Sequence, residues 1–209
     1  MTKQIFISLI VFSLLLARTS FAKPLSGFHE GPYLLFSGGV LQYDWDQNQL
    51  TGLQEGGKWE PAVGFQFGWH TLDWFGLEVQ TRYGTNATNN RREHIVTTNV
   101  GFSLTLLTDS LLDFEYWRIL PFVRPSLAIA VAQLPADPAG NPAHVDPMGF
   151  GPGLSTGVHV MYKYLYFGLE LQEDLISQPT QRQPGTNAII FNGGWKDQFG
   201  LMTVVGVHY

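Results

Sequence analysis

Apolar and polar side chains alternate at every second position along most of this sequence after residue 23. Successive side chains of a β-strand point to opposite faces, so such a pattern gives each strand one apolar face and one polar face. No window shows the 3.6-residue period of an amphipathic helix. In a representative segment the apolar face carries Phe75, Leu77, Val79, Thr81 and Tyr83, and the other face carries Gly76, Glu78, Gln80 and Arg82. The sequence therefore predicts an all-β fold.

Eight segments show this alternation, and each is about 9 to 13 residues long, the length of a strand that crosses a membrane. The faces of the first segment, Pro32 to Tyr43, cannot be assigned because its alternation is weak. Short connections are predicted at 71–74 and 162–164, an intermediate one at 108–118, and long polar ones at 44–59, 84–93, 134–149 and 176–194. Short and long connections thus alternate along the chain, as they do in an up-and-down barrel.

Two kinds of barrel fit this alternation: a soluble, lipocalin-like barrel with its apolar face inside, and a membrane barrel with that face outside. The polar face is rich in Gly, Ala and Ser, which suits a narrow lumen, and the apolar face carries bulky Phe, Leu and Val. Aromatic residues fall at predicted strand ends, where interfacial girdles form: Trp69, Trp74, Tyr83, Tyr116, Trp117, Tyr162, Tyr164 and Trp195. We therefore predict an eight-stranded antiparallel up-and-down transmembrane β-barrel.

The N-terminus has the form of a secretory signal peptide. Lys3 supplies a positive charge, 5–17 is an apolar run too short to span a bilayer as a helix, and Ser20 and Ala22 place small residues at the cleavage site. We predict a signal peptide at 1–22, cleaved after Ala22, and one barrel domain at 23–209.

Composition excludes several classes of function. The net charge of −5 gives no basis for nucleic-acid binding, and the chain has no Cys for a disulfide or thiolate metal site. No cluster of His and carboxylates has metal-ligand spacing. We predict no metal and no cofactor.

The last segment ends in an aromatic residue preceded by side chains at every second position: Leu201, Thr203, Val205, Val207 and Tyr209. This pattern resembles the C-terminal assembly signal of bacterial outer-membrane proteins, and Ile119 to Val131 resembles a strand common in small OmpA-like and OmpW-like barrels. The resemblance implies a location in the bacterial outer membrane with both termini periplasmic. It also implies contact with outer-membrane lipids and lipopolysaccharide, and insertion by the barrel-assembly machinery. We expect a monomer.

Four charged side chains are predicted to point into the lumen: Glu78, Arg82, Arg124 and Glu170. Because the third and seventh strands lie on opposite walls of an eight-stranded barrel, we expect Arg82 and Glu170 to meet across the lumen. Ionised groups in a narrow lumen must be paired or hydrated. The interpretation is a polar plug, and the alternative is a gate for small ions or solutes.

No catalytic site is predicted. Barrel enzymes that deacylate lipid A carry a His-x-Ser-Asn motif on the penultimate strand, and the corresponding strand here has neither His nor Ser. Ser155, His159 and Glu170 are of the residue types that nucleophilic catalysis uses, but four residues separate Ser155 from His159, about 13 Å along a strand. In the loops, Arg91 and Arg92 are candidates for contact with lipopolysaccharide phosphates.

The sequence therefore predicts a non-enzymatic outer-membrane barrel with a structural or surface-interaction role and a largely occluded lumen, because an eight-stranded interior is just wide enough for side chains to fill. The alternatives are a narrow, OmpW-like channel for ions or small solutes and a lipid A-modifying barrel enzyme.

Overall fold

A computed structural model of the chain describes residues 30–44, 59–72, 74–88, 91–105, 117–133, 148–182, 189–191 and 193–209. The predicted signal peptide at 1–22 lies outside these residues, as do Tyr116 and most of the predicted long connections. The described part of the chain contains no helix long and apolar enough to cross a membrane.

Ten strands make up the described structure: β1 Gly31–Asp44, β2 Trp59–Leu72, β3 Phe75–Thr88, β4 Arg91–Thr105, β5 Trp117–Gln133, β6 Met148–Tyr162, β7 Leu165–Gln178, β8 Gln181–Arg182, β9 Ile189–Phe191 and β10 Gly194–His208. Eight of them close into a barrel in the order β1-β10-β7-β6-β5-β4-β3-β2, and all neighbours are antiparallel. The short strands β8 and β9 pair with each other in the connection between β7 and β10. The predicted eight-stranded up-and-down barrel is confirmed.

The barrel closes by pairing β1 with β10, in a register that runs from Tyr33 opposite His208 to Asp44 opposite Asp197. The amide of Tyr209 extends this pairing by donating to the carbonyl of Pro32 at 2.9 Å. Gly31 and Tyr209 lie at the end of the barrel that also holds the β2–β3 and β6–β7 connections, which we call the turn end. The opposite end is the loop end.

Two predicted long loops are shorter than the sequence suggested. The segment 84–93, predicted as a loop, is a paired hairpin, because β3 and β4 stay in register up to Thr88 opposite Arg91. Likewise β7 continues to Gln178, beyond the predicted loop start at Ile176. Beyond the hydrocarbon region a strand needs no apolar outer face, so alternation of polarity disappears while backbone pairing continues.

Large apolar side chains cover the outer wall. Examples with 44 to 66% of their surface exposed are Phe36, Phe65, Phe67, Leu77, Phe150 and Leu169. Exposed aromatic residues flank this belt at the turn end (Trp69, Trp74, Trp117 and Tyr164) and at the loop end (Trp59, Tyr83 and Trp195). An apolar surface of this extent is unfavourable in water and is the lipid-facing surface of a membrane barrel.

Hydroxyl groups on this wall find partners within the protein. Thr81 and Thr98 lie opposite each other with their hydroxyl oxygens 3.2 Å apart, and the Thr203 hydroxyl donates to the Gly38 carbonyl at 2.7 Å. Lipid tails offer no hydrogen bonds, so a hydroxyl in the belt is tolerated when the wall itself provides one.

The inner wall has apolar layers near both ends of the lumen. The turn-end layer consists of Tyr33, Leu35, Leu120, Met161 and Tyr166, and the loop-end layer of Leu41, Tyr43, Ala62, Ile95, Ala132 and Met202. The faces of β1 are thereby assigned: its odd-numbered positions face inward, and Tyr33, Leu35, Leu41 and Tyr43 belong to these two layers.

Candidate functional site: the lumenal polar network

Five charged side chains occupy the lumen between the two apolar layers. Glu78 and Arg82 come from β3, Arg124 from β5, and Glu170 and Asp174 from β7, and none is more than 4% exposed. Each lies on the inward parity of its strand, because the neighbouring positions carry the lipid-facing side chains. The structure therefore brings all four of the predicted lumenal residues into one region and adds Asp174.

Arg124 is the centre of the first group. Its guanidinium forms ion pairs with Glu78 on β3 and with Glu170 on β7, the latter at 2.8 Å from Nη2 to Oε2. The Gln66 side-chain amide, from β2, donates to Glu78 at 2.8 Å. One arginine thus ties two other walls of the barrel together across the lumen.

His159 adds a further partner to this group. Its Nε2 lies 2.9 Å from Oε1 of Glu170. Phe122 stacks on the imidazole with ring centroids 4.4 Å apart, and the Arg124 guanidinium carbon lies 5.4 Å from the same phenyl ring. The imidazole is held on two sides, by a carboxylate and by an aromatic ring.

Arg82 is the centre of the second group. It pairs with Asp174 and donates to the Asn99 side-chain oxygen at 3.0 Å. The Asn99 amide in turn donates to Asp174 at 2.8 Å and to the Ser126 hydroxyl at 3.1 Å. The Asp174 carboxylate therefore accepts from β3 and β4, with a further contact at 3.2 Å from the Gln172 amide of its own strand.

The predicted contact between Arg82 and Glu170 is not made. Arg82 pairs instead with Asp174, four residues further toward the loop end of β7, and Glu170 pairs with Arg124. Barrel strands are tilted and staggered, so side chains on opposite walls meet at heights that strand number alone does not give. Asp174 is absent from the predicted set, although the alternation along β7 continues through it on the same face as Gln172.

Gln80 connects the two groups. Its amide donates to Glu170 at 3.2 Å, and its side-chain oxygen lies 3.4 Å from Nη2 of Arg124. Among the five charged side chains, three carboxylates face two guanidinium groups, and every one of them has an oppositely charged partner. Buried charges are tolerated under this condition. We call this set, with His159, Gln66, Gln80, Asn99 and Gln172, the lumenal network.

An aromatic cluster lies between the network and the turn end. Tyr33 stacks on Tyr166 with ring centroids 6.0 Å apart, and the His70 ring is tilted against Tyr33 at 4.7 Å. The His208 ring lies 5.9 Å from Tyr166 and 6.3 Å from His70. Room for the Tyr33 ring depends on Gly68 in β2, where any Cβ would collide with the phenol. These four rings cover the turn-end mouth of the lumen.

The arrangement lacks the geometry of a hydrolytic site. Ser155 is buried in the lumen and its hydroxyl makes no hydrogen bond to the described residues, while His159 is bound to Glu170. No group of three or more His or carboxylate residues capable of holding a metal ion occurs in the ranges that the structure describes.

The residues of the predicted assembly signal lie together on the outer wall of β10. Leu201, Val205 and Tyr209 are 42, 49 and 76% exposed, and Thr203 and Val207 share their face. The structure places this row in the lipid-facing belt at the turn end. Recognition of this row of side chains by the barrel-assembly machinery stays a prediction.

Solved structures of outer-membrane barrels are similar to this chain. Neisserial surface protein A aligns with a TM-score of 0.61 and 12% identity over 86% of this chain and 97% of its own. OprG from Pseudomonas aeruginosa aligns with a TM-score of 0.53 and 14% identity over 87% and 97%. No protein-family model and no curated protein sequence matches the chain.

These two proteins are named as a surface protein and as an outer-membrane protein, not as enzymes. The similarity confirms the resemblance to small outer-membrane barrels at the level of the fold. A closed barrel with an apolar outer belt and two aromatic girdles spans an outer membrane. The chain is therefore a transmembrane β-barrel with the fold of these outer-membrane proteins.

Proposed function

We propose that this barrel is non-enzymatic, with a structural or surface-interaction role, and that its lumen is occluded. The observation that carries this proposal is the Arg124 guanidinium, which joins β5 to β3 and β7 through two buried ion pairs. Together with Arg82, the aromatic cluster and the loop-end layer, it fills the interior of an eight-stranded barrel.

Planar-bilayer recording of the purified barrel tests occlusion. We expect no stable conductance steps from the wild-type protein, because an ion would have to displace buried charge pairs to pass. Gln133→Ala, a change on the outer wall at the loop end, serves as a control and should behave like the wild type. Reproducible single-channel steps from the wild-type protein would contradict the proposal.

A narrow channel is the second candidate, and one observation favours it. The Nε atoms of Arg82 and Arg124, and Nη1 of Arg82, make no hydrogen bond to the described residues. Both guanidinium groups thus have donors to offer to alternative partners. If the lumen opens by such a rearrangement, Arg82→Ala and Arg124→Ala should raise conductance above that of the wild type.

A lipid A-modifying activity is the remaining alternative. His159 is 7% exposed and Glu170 is 1% exposed, and both point into the lumen, away from the lipid that such an enzyme would bind. We expect lipid A from cells with and without the protein to have the same mass spectrum. A change in acyl chains that is lost in His159→Gln would overturn the non-enzymatic proposal.

We further propose that the loop end faces the outside of the cell, that the barrel-assembly machinery inserts the chain, and that the barrel is monomeric. Single cysteines at Asp46, Asn90, Asn141 and Gln183 should then react with an impermeant thiol reagent on intact cells, and a cysteine at Lys163 should be protected. The reverse labelling pattern would refute this orientation. Cross-linking in membranes should yield no homodimer band.

A further inference from the structure

A tyrosine and a histidine form a hydrogen-bonded pair on the outer wall near the loop end. The Tyr83 hydroxyl lies 2.5 Å from Nδ1 of His94, and the two rings stack with centroids 5.8 Å apart and 18° between their planes. Tyr83 is 40% exposed and His94 is half-buried. Both point away from the lumen, because the buried side chains of β3 and β4 lie at the alternate positions.

The hydrogen bond occupies Nδ1 of the imidazole and leaves Nε2 for a second partner. When the tyrosine hydroxyl donates to Nδ1, the ring proton lies on Nε2, and Nε2 is then a hydrogen-bond donor. In this tautomer the pair presents an N–H group on the outer wall of the barrel.

The surroundings of the pair match a lipid headgroup above its acyl chains. On the side toward the middle of the barrel, Val96, Val100 and Val131 are 40, 49 and 39% exposed and form apolar wall. On the other side the β3–β4 hairpin continues away from the belt, from Thr85 opposite His94 to Thr88 opposite Arg91. Nε2 of His94 thus lies at the boundary between the apolar belt and the part of the β3–β4 hairpin that extends beyond it, where headgroups reside.

Charge differs between the two sides of the outer wall. Among the described residues, the outward neighbours of the pair on β3 and β4 are uncharged: Thr81, Thr85, Val96 and Thr98. On the wall formed by β7 and β10 the outward positions near the loop end include two carboxylates, Glu173 and Asp197. An anionic headgroup therefore meets no described carboxylate beside the pair on the β3–β4 wall, whereas Glu173 and Asp197 disfavour it on the β7–β10 wall.

We propose that Tyr83 and His94 form a binding site for a phosphate group of lipid A, the phosphorylated glycolipid of the outer leaflet. Nε2 of His94 donates to the phosphate, Tyr83 orients the imidazole, and the valines below contact the acyl chains. This site rests on the proposed outward orientation of the loop end, which cysteine labelling tests separately, so failure of either is distinguishable.

Titration of the detergent-solubilised barrel with lipid A, followed by native mass spectrometry, tests the site. We expect diphosphorylated lipid A to bind about tenfold more tightly than the dephosphorylated form, which is the scale of a hydrogen bond to a charged group. His94→Ala should remove this preference and Tyr83→Phe should reduce it. The matched control Tyr164→Phe, at an exposed tyrosine of the turn end, should bind like the wild type.

Three results would overturn the proposal: a wild-type barrel that binds both forms equally, a His94→Ala variant that keeps the full preference, or equal competition by inorganic phosphate at matched concentration. The last would indicate a general anion site. A shift in gel mobility between unheated and heated samples shows that each variant is folded, and Tyr83→Phe, which leaves the wall packing unchanged, gives a result if His94→Ala does not fold.

Discussion

β1 and β7 contribute opposite kinds of surface to the same lumen. Both have 14 residues, and both pair with β10. The inward side chains of β1 include Tyr33, Leu35, Leu41 and Tyr43, whereas those of β7 include Tyr166, Glu170, Gln172 and Asp174. The lumen is therefore built in layers across the strands, and each strand contributes to the layers at its own height. An inward face need not be polar for its strand to belong to a membrane barrel.

β1 and β7 are stabilised by different kinds of interaction. On β1, large buried side chains fill the ends of the lumen, so its contribution comes from packing and the removal of apolar surface. On β7, two carboxylates each need an arginine from another strand, so its contribution depends on pairing being complete. Mutations can separate these two contributions.

Deletion of Val205–Tyr209 should have the largest effect. This segment pairs with both walls, with Leu34 and Phe36 on β1 and with Leu165 and Phe167 on β7. Its loss would leave two open strand edges in a bilayer, where unpaired backbone groups cost several kcal/mol each. We expect no heat-modifiable barrel in the membrane fraction and degradation in the periplasm. Normal insertion would also contradict the predicted assembly signal.

Arg124→Met should destabilise the folded barrel by about 3–5 kcal/mol, because Glu78 and Glu170 would lose their buried partner. Urea unfolding in lipid vesicles, followed by tryptophan fluorescence, measures this loss. Adding Glu78→Gln and Glu170→Gln to the variant should restore much of it, since the uncompensated charges are then removed. If the triple variant is no more stable than Arg124→Met, charge pairing is not what holds the β7 wall.

Leu35→Ala should cost about 2–3 kcal/mol in the same assay, through lost contacts and a cavity in the turn-end layer. The neighbouring Leu34, on the opposite face of β1, is the matched control. Lipid tails can replace the contacts that Leu34→Ala removes, so that change should cost less. Equal losses at the two positions would mean that the inner face of β1 is not a packed layer.

Ser37→Ala should have the smallest effect, below about 1 kcal/mol in either direction. The Ser37 hydroxyl is buried on the inward face of β1 and makes no hydrogen bond to the described residues. Its replacement therefore removes no protein hydrogen bond. A loss of several kcal/mol in vesicle unfolding would reveal a polar function for the β1 wall and would weaken the contrast with β7.

The same contrast explains which parts of the fold the sequence predicts. On β7 the inward face is polar and the outward face apolar, so alternation alone assigns Glu170 to the lumen. On β1 both faces are apolar over long stretches, because Leu34 and Phe36 face lipid while Tyr33 and Leu35 face a packed layer. Period-two patterns assign faces only where the faces differ in polarity, so strand number was predictable and the faces of β1 were not.

The sequence predicts which kind of partner a lumenal charge needs, but it does not predict which residue supplies that partner. The sequence indicates that Arg82 needs a carboxylate, whereas the choice of Asp174 over Glu170 depends on stagger accumulated through several strand pairs. The predicted loop at 84–93 was wrong for a related reason: Asn86 and Thr88 are residue types common in loops, but the register with β4 continues through them. Both errors concern backbone geometry that side-chain polarity does not encode.

The closure of β1 on β10 also places residues from opposite ends of the sequence side by side. Since the Tyr209 amide bonds to the Pro32 carbonyl, a short linker could join Tyr209 to Glu30 and new termini could be opened in a loop-end connection. Circular permutants are tolerated where termini are adjacent and cut sites lie in exposed connections. Such a permutant would retain every strand pair of the barrel while the last strand became an internal one. Refolding it in detergent and expressing it in cells would therefore separate what the barrel needs for stability from what the cell needs for insertion.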